Sequence, residues 1–256
     1  MEPNRRLTTE QLIAFSRKST HTRFHILLLV VLLTLPCIRG SAGELHVGEG
    51  KPYASIGEAI EAANPGDTLF IHPGHYYENA LKINKPLTIM GVDRPTIDGS
   101  DEQEEIFTVN ADSVHIRGLL LKNIGVSYRR DLAAIRVNRS GYGSIVDNVL
   151  ENTFFGIYLA YGKHYLVADN RITGHFENEA SAGNAIHVWK GDFVEIRGNR
   201  MEGHRDGIYF EFVDDSKIYD NHSLNNIRYG LHFMFSNRDI YENNTFQDNG
   251  AGVAVM

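Results

Sequence analysis

The sequence predicts an all-β chain wound as a right-handed parallel β-helix, a solenoid of roughly 22-residue coils with a short N-terminal capping helix. Three observations predict it. Asn recurs in the pattern aliphatic-x-(Gly/Asp/Glu)-Asn at Asn148, Asn170, Asn199, Asn221 and Asn243, at intervals of 22, 29, 22 and 22 residues. A second landmark, a small residue followed by aliphatic-x-hydrophobic, travels with it: Gly156-Ile157-Tyr158-Leu159, Ala185-Ile186-His187-Val188, Gly207-Ile208-Tyr209-Phe210, Gly230-Leu231-His232-Phe233 and Gly252-Val253-Ala254-Val255. The segments alternate with period two, favour Ile, Val, Tyr and Phe, and are punctuated by Gly and Asn, so they read as strands.

The first 43 residues are of another kind. Arg17, Lys18 and Arg23 precede the apolar run Ile26 to Leu35, and the small residues Gly40-Ser41-Ala42-Gly43 follow. The run is too short to span a bilayer as an ordinary helix, and the three regions together describe a secretory signal peptide over 1–43. The exported part, 44–256, is expected to be one β-helix domain. It keeps 19 Lys and Arg against 30 Asp and Glu, a net charge of −11. That acidity argues against a nucleic-acid partner, whose phosphates need a basic surface. Cys37, the only cysteine, lies in the leader. Stability must therefore come from stacking, and any soft-metal site must use Met and His.

Residues 55–63 predict an amphipathic helix. Ser55 and Glu58 form a capping-box pattern, and Ile56, Ala59, Ile60 and Ala63 share one face. Asn64-Pro65-Gly66-Asp67 stops it, and the helix is suited to cover the first rung of the stack. Strands follow at 68–71, 87–90, 96–98 and 106–109, and 116–119 with 134–137 makes a degenerate copy of the repeat. Two coils are seven residues too long, around Tyr128-Arg129-Arg130-Asp131 and around His175-Phe176-Glu177-Asn178-Glu179. Insertions in a solenoid become loops on one face, often the binding face. The final Ala251-Gly252-Val253-Ala254-Val255-Met256 carries no polar cap, so the chain reads as C-terminally truncated.

Period-two alternation turns the x of the second landmark outward, together with the residue two beyond it. One outward column is Arg136, Tyr158, His187, Tyr209, His232, Ala254; beside it run Asn138, Ala160, Trp189, Glu211, Met234, Met256. The candidate exposed functional face is Arg136, Tyr158, His187, Trp189, Tyr209 and Glu211, with His204, Arg205 and Asp206 at the turn entering one strand. His187 and His232 lie two rungs apart, roughly 10 Å at the backbone, too far to share an ion easily. His232 and Met234 leave one face of one strand and offer the soft donors that suit Cu(I), with Tyr209 and Glu211 one rung back as supports. The alternatives are a solvated aromatic and imidazole face, or Asp206 and Glu211 as a glycosidase-type acid/base pair. Arg205 and Asp206 could equally pair with adjacent coils, and the Asn column reads as stacked amides.

GNAIHVW (183–189), GHRDGIYFEF (203–212), RYGLHFMFS (228–236) and DNGAGVAVM (248–256) resemble the NosD family, the periplasmic maturation proteins of nitrous oxide reductase. The resemblance implies a periplasmic, non-enzymatic role in assembling that reductase's copper-sulfide catalytic centre. It further implies partnership with an ABC-type ATPase and membrane subunit, with a copper-carrying lipoprotein and with nitrous oxide reductase. It supplies no ligand motif, so the copper assignment to His232 and Met234 rests on the ladder. The rival is a polysaccharide lyase, epimerase or glycoside hydrolase acting on acidic polysaccharide, which needs several carboxylates along one groove.

Overall fold

The computed structural model describes residues 42–176 and 178–256, and Ala42–Met256 forms one compact unit. All but the last two residues of the expected signal peptide lie outside the described residues. Three parallel sheets wind the chain into about nine turns, as the repeat predicts. The first sheet has nine strands, from Glu44–Val47 to Ile240–Glu242. The second has eight, from His75–Tyr77 to Thr245–Gln247, and the third has eight, from Leu81–Ile83 to Ala251–Val255. Glu44–Val47, which pairs with Thr68–Ile71, is a rung that the sequence reading missed because it stands alone before the helix.

The core is a set of apolar columns set by register. In the third sheet Ile135, Ile157, Ile186, Ile208, Leu231 and Val253 lie one above another. The first five of these are wholly buried, at about 2 kcal/mol per side chain removed from water. In the first sheet Ile89, Ile116, Ile145, Val167, Ile196 and Ile218 form the matching column.

Helix α1, Ile56–Ala62, buries Ile56, Ala59 and Ile60 against the first coil, as its pattern predicts. Ser55 Oγ accepts from Glu58 N at 3.3 Å, and the second half of the cap comes from farther away. The Glu78 carboxylate accepts from Ile56 N at 2.8 Å and Gly57 N at 3.0 Å, placing negative charge where a helix N-terminus favours it.

Both landmarks acquire causes. The Asn column is a buried amide ladder at the corner between first and second sheets. Asn148, Asn170 and Asn199 each take their next-coil neighbour's Oδ1 on both backbone N and Nδ2, at 2.9 to 3.1 Å. The last member is Asn244, not Asn243: Asn221 Nδ2 donates to Asn244 Oδ1 at 3.0 Å. Asn243 is instead the left-handed residue that precedes each ladder Asn, with φ 54° beside 54° at Asp147, 56° at Asp169 and 55° at Asp220. Short polar residues tolerate that conformation best after glycine, which explains the (Gly/Asp) before Asn.

The small residue of the second landmark marks close approach. A Cβ on Gly207 would fall 1.9 Å from Ser223 Oγ and 2.7 Å from Gly230 O. Ser223 is buried and donates to Gly230 O, so it has no free space to retreat into. Gly207→Ala is therefore expected to lower stability by about 2 kcal/mol or more, read as a shift of the urea midpoint. An unchanged midpoint would refute the close-approach account.

Candidate functional site

The outward column of the third sheet is in the predicted register: Arg136, Tyr158, His187, Tyr209, His232 and Ala254 are successive Cα partners. Upstream it continues through Thr108 and Lys82. The rings stack into one file. Arg136 Cζ lies 4.3 Å from the Tyr158 centroid. Centroid separations are then 4.4 Å to His187, 4.7 Å to Tyr209 and 4.6 Å to His232.

The expected solvated face is wrong. Tyr158 and His187 are each 5% exposed, Tyr209 8% and His232 2%. Period-two alternation identifies which side of the coil wall a residue leaves, and says nothing of what lies over that side. Here the rings cover one another, Phe155 lies 5.9 Å from both Tyr158 and His187, and the long coils bring polar groups to the edges. Arg136 Nη1 donates to Asp131 O at 2.9 Å, and Arg228 Nε lies 3.8 Å from Glu179 Oε1. Burial pushes the Tyr158 hydroxyl up to about 12 and the His187 imidazole down to about 3.

The other members of the predicted face scatter. His204 is buried at the corner between second and third sheets, where Thr153 Oγ1 lies 3.3 Å from its Nε2 and Glu202 O 3.1 Å from its Nδ1. Burial lowers its pKa to about 4; it is a structural histidine, not part of an exposed face. Trp189 packs edge-on to Tyr161 at 4.9 Å, with Lys190 Nζ 4.8 Å from its ring. Glu211 stands in register between Trp189 and Met234.

The acid/base pair also fails on geometry. Asp206 and Glu211 occupy the two ends of the strand Asp206–Glu211. Five residues of extended chain separate them by roughly 16 Å, well beyond the span of paired glycosidase carboxylates, ~5 to 9.5 Å. Asp206 is instead spent on the next coil, as the structural alternative expected. Its Oδ1 accepts from Tyr229 N at 3.1 Å, and its Oδ2 lies 3.4 Å from His232 Nδ1. The carboxylate that orients His232 is thus Asp206 and not Glu211; a spacing of 26 residues across two coils hid the pair from sequence reading.

With Nδ1–H directed to Asp206, His232 Nε2 carries a lone pair that is buried and has no partner among the described residues. A carboxylate behind an imidazole in this way fixes the tautomer and raises its basicity as a metal ligand. Burial lowers the imidazole pKa and the Asp206 charge opposes the shift. Tyr209 OH donates to Met234 Sδ at 3.3 Å, so the tyrosine touches both soft donors, the His232 ring with its face and the thioether with its hydroxyl. Both nitrogens of His187, both polar atoms of the Asn184 side chain and Arg205 Nε are likewise buried without partners. Among the described residues no three or more His, Cys, Asp or Glu side chains converge on a point that could hold a metal. At the other end of the column, Lys82, Thr108, Arg129, Arg130, Asp131 and Arg136 line an open groove of about 570 Å³.

The fold and the ladder together define a right-handed parallel β-helix carrying a covered tyrosine–histidine file on its third sheet. Residues 173–256, which hold His187, Tyr209, His232 and Met234, match the family model described as "Periplasmic copper-binding protein (NosD)". A curated relative in Pseudomonas aeruginosa, the "Probable ABC transporter binding protein NosD", is 30% identical over 136 residues, 52% of this chain and 31% of its own length. The chain thus spans about a third of that relative. The resemblance read from the four sequence blocks is borne out.

Solved structures share the fold alone. PfbA, a surface adhesin of Streptococcus pneumoniae, superposes with TM-score 0.63 at 13% identity, covering 75% of this chain and 57% of its own. A rhamnogalacturonan lyase gives 0.62 at 15%, covering 82% and 63%. Pectate lyase Pel9A gives 0.57 at 15%, covering 82% and 70%.

Proposed function

We propose that this chain is a periplasmic, non-enzymatic assembly factor for the copper-sulfide centre of nitrous oxide reductase, and that copper is its cargo. The observation that carries the reading is the coincidence of the NosD match over 173–256 with the coils that hold the Asp206–His232 pair and Met234. Its partners on this reading are an ABC-type ATPase with its membrane subunit, a copper-carrying lipoprotein and the reductase. Export follows from the signal peptide expected over 1–43.

The donor set suits the cargo. An imidazole nitrogen with an unshared lone pair and a thioether two residues along one strand are what Cu(I) selects, and Tyr209 holds the thioether in place. His232 is 2% exposed, so loading requires the outer face of the third sheet to open locally. Deleting the gene is expected to leave the reductase exported but without its catalytic cluster; a fully metallated reductase in the deletion strain sinks the assembly role. Anaerobic Cu(I) titration against a competing chelator tests the site separately. His232→Ala with Met234→Ala is expected to weaken binding, and parental affinity in that variant removes these two residues while leaving the assembly role standing.

A further inference from the structure

A second cluster of ligating side chains stands at the opposite end of the solenoid, outside the matched segment. Glu44 and His46 share the outward face of the first strand, where the alternation buries Leu45 and Val47. His46 is the Cα partner of Phe70, and its ring stacks on that phenyl at 5.2 Å and 16°. His72 follows the next strand up. His72 N donates to Val47 O at 2.9 Å, and Tyr76 OH donates to His72 O at 2.8 Å, so both imidazoles spring from pinned positions. Their facing nitrogens, His46 Nδ1 and His72 Nε2, are 3.0 Å apart.

We propose that His46 and His72 form an open site for a borderline divalent transition-metal ion of the Zn²⁺ type. Two imidazole nitrogens on one tetrahedral ion, at bonds of about 2.0–2.1 Å, stand about 3.3 Å apart, so the rings need to open by only a few tenths of an ångström. Without metal, one ring donates its N–H to the other. With metal, both lone pairs turn inward, and the ring that had donated takes the tautomer protonated at its far nitrogen. On His46 that far nitrogen is Nε2, which lies 3.9 Å from Glu44 Oε2, beyond hydrogen-bond distance but near enough for the carboxylate's charge to favour a proton there. Both rings remain accessible, and water completes the coordination. The site is independent of the copper cargo: different residues, a different ion, and the other end of the fold.

Titration of the purified chain with Zn²⁺ alone at neutral pH is expected to show a site lost in His46→Ala and in His72→Ala. Each is expected to weaken Zn²⁺ binding more than about tenfold, and Glu44→Gln by up to about tenfold, because it removes only the carboxylate behind the ligand. His75→Ala, three residues away and engaged with Asp98, is expected to bind as the parent does. The pair His232→Ala with Met234→Ala is also expected to leave Zn²⁺ affinity unchanged. His46→Gln and His72→Gln repeat the test with a polar side chain of similar reach, and imidazole NMR resonances of both histidines should shift together on loading. Parental Zn²⁺ affinity in the His46 and His72 variants overturns the proposal. So does a parent that binds no Zn²⁺, or affinity that instead tracks His232 and Met234.

Discussion

Lowering the pH from 7 to 5 is expected to destabilise the solenoid by roughly 3–4 kcal/mol through two histidines alone, His187 and His204. Burial lowers their pKa values to about 3 and about 4, while both titrate near 6.5 in the unfolded chain. The folded state therefore binds fewer protons. Their contribution is fully present above about 6.5, and it falls as the pH drops, by about 1.4 kcal/mol per unit and per histidine, until the folded values are reached. The depressed carboxyls of Asp67 and Asp98 act below this window, because their ordinary value is already 3.8. Asp239, raised to about 6 by burial, works in the opposite direction and offsets part of the loss. Urea midpoints at the two pH values decide the matter, and His187→Phe should remove about half of the slope. Equal midpoints would show that the imidazoles find partners in the folded protein.

Replacing Asn199 by Ala is expected to cost about 3 kcal/mol or more. The side chain is 1% exposed and sits at the centre of the ladder. Its Oδ1 accepts from Asn170 N at 3.0 Å and Asn170 Nδ2 at 2.9 Å, and its Nδ2 donates to Val167 O at 2.9 Å. Truncation orphans buried groups on two coils at once. Asn244→Ala, at the half-exposed end of the same column, should cost about 1 kcal/mol, since water reaches the groups it releases. Hydrogen exchange would report the lesion locally, because neighbouring coils share their stability mainly with one another. If the two variants denature alike, position in the ladder is irrelevant and the account is wrong.

How much of this was legible beforehand depends on whether the cause was local. The coil period, the register of the outward column and α1 all follow from patterns within one repeat, and all were readable. The doublet Asn243-Asn244 was ambiguous because one coil is 23 residues long, as the pairing of His222 with Thr245 requires. Letters alone do not say which Asn takes the left-handed turn and which the amide ladder. The covered face was illegible for a different reason. Whether Tyr158 or His187 meets water depends on Phe155 and on the long coils, none of which the alternation of that strand encodes. The pairing of Asp206 with His232 likewise exists only once the coils have stacked. His46 and His72 went unnoticed because their 26-residue separation precedes the regular repeat. A second amide pair, Asn226 with Asn249 at 2.8 Å, was lost among the loop residues around it.

The Glu78 carboxylate at the head of α1 bears on the order in which the chain can settle as it is made. Ile56–Ala62 is only two turns long, too short to persist alone in water. Its strongest N-terminal acceptor arrives more than twenty residues later, and the strand Leu81–Ile83 that it packs against comes later still. A nascent chain halted before Ile83 would therefore hold this segment as fluctuating coil. The helix that covers the first rung becomes rigid only after that rung has closed, so the lid is set by the vessel it covers.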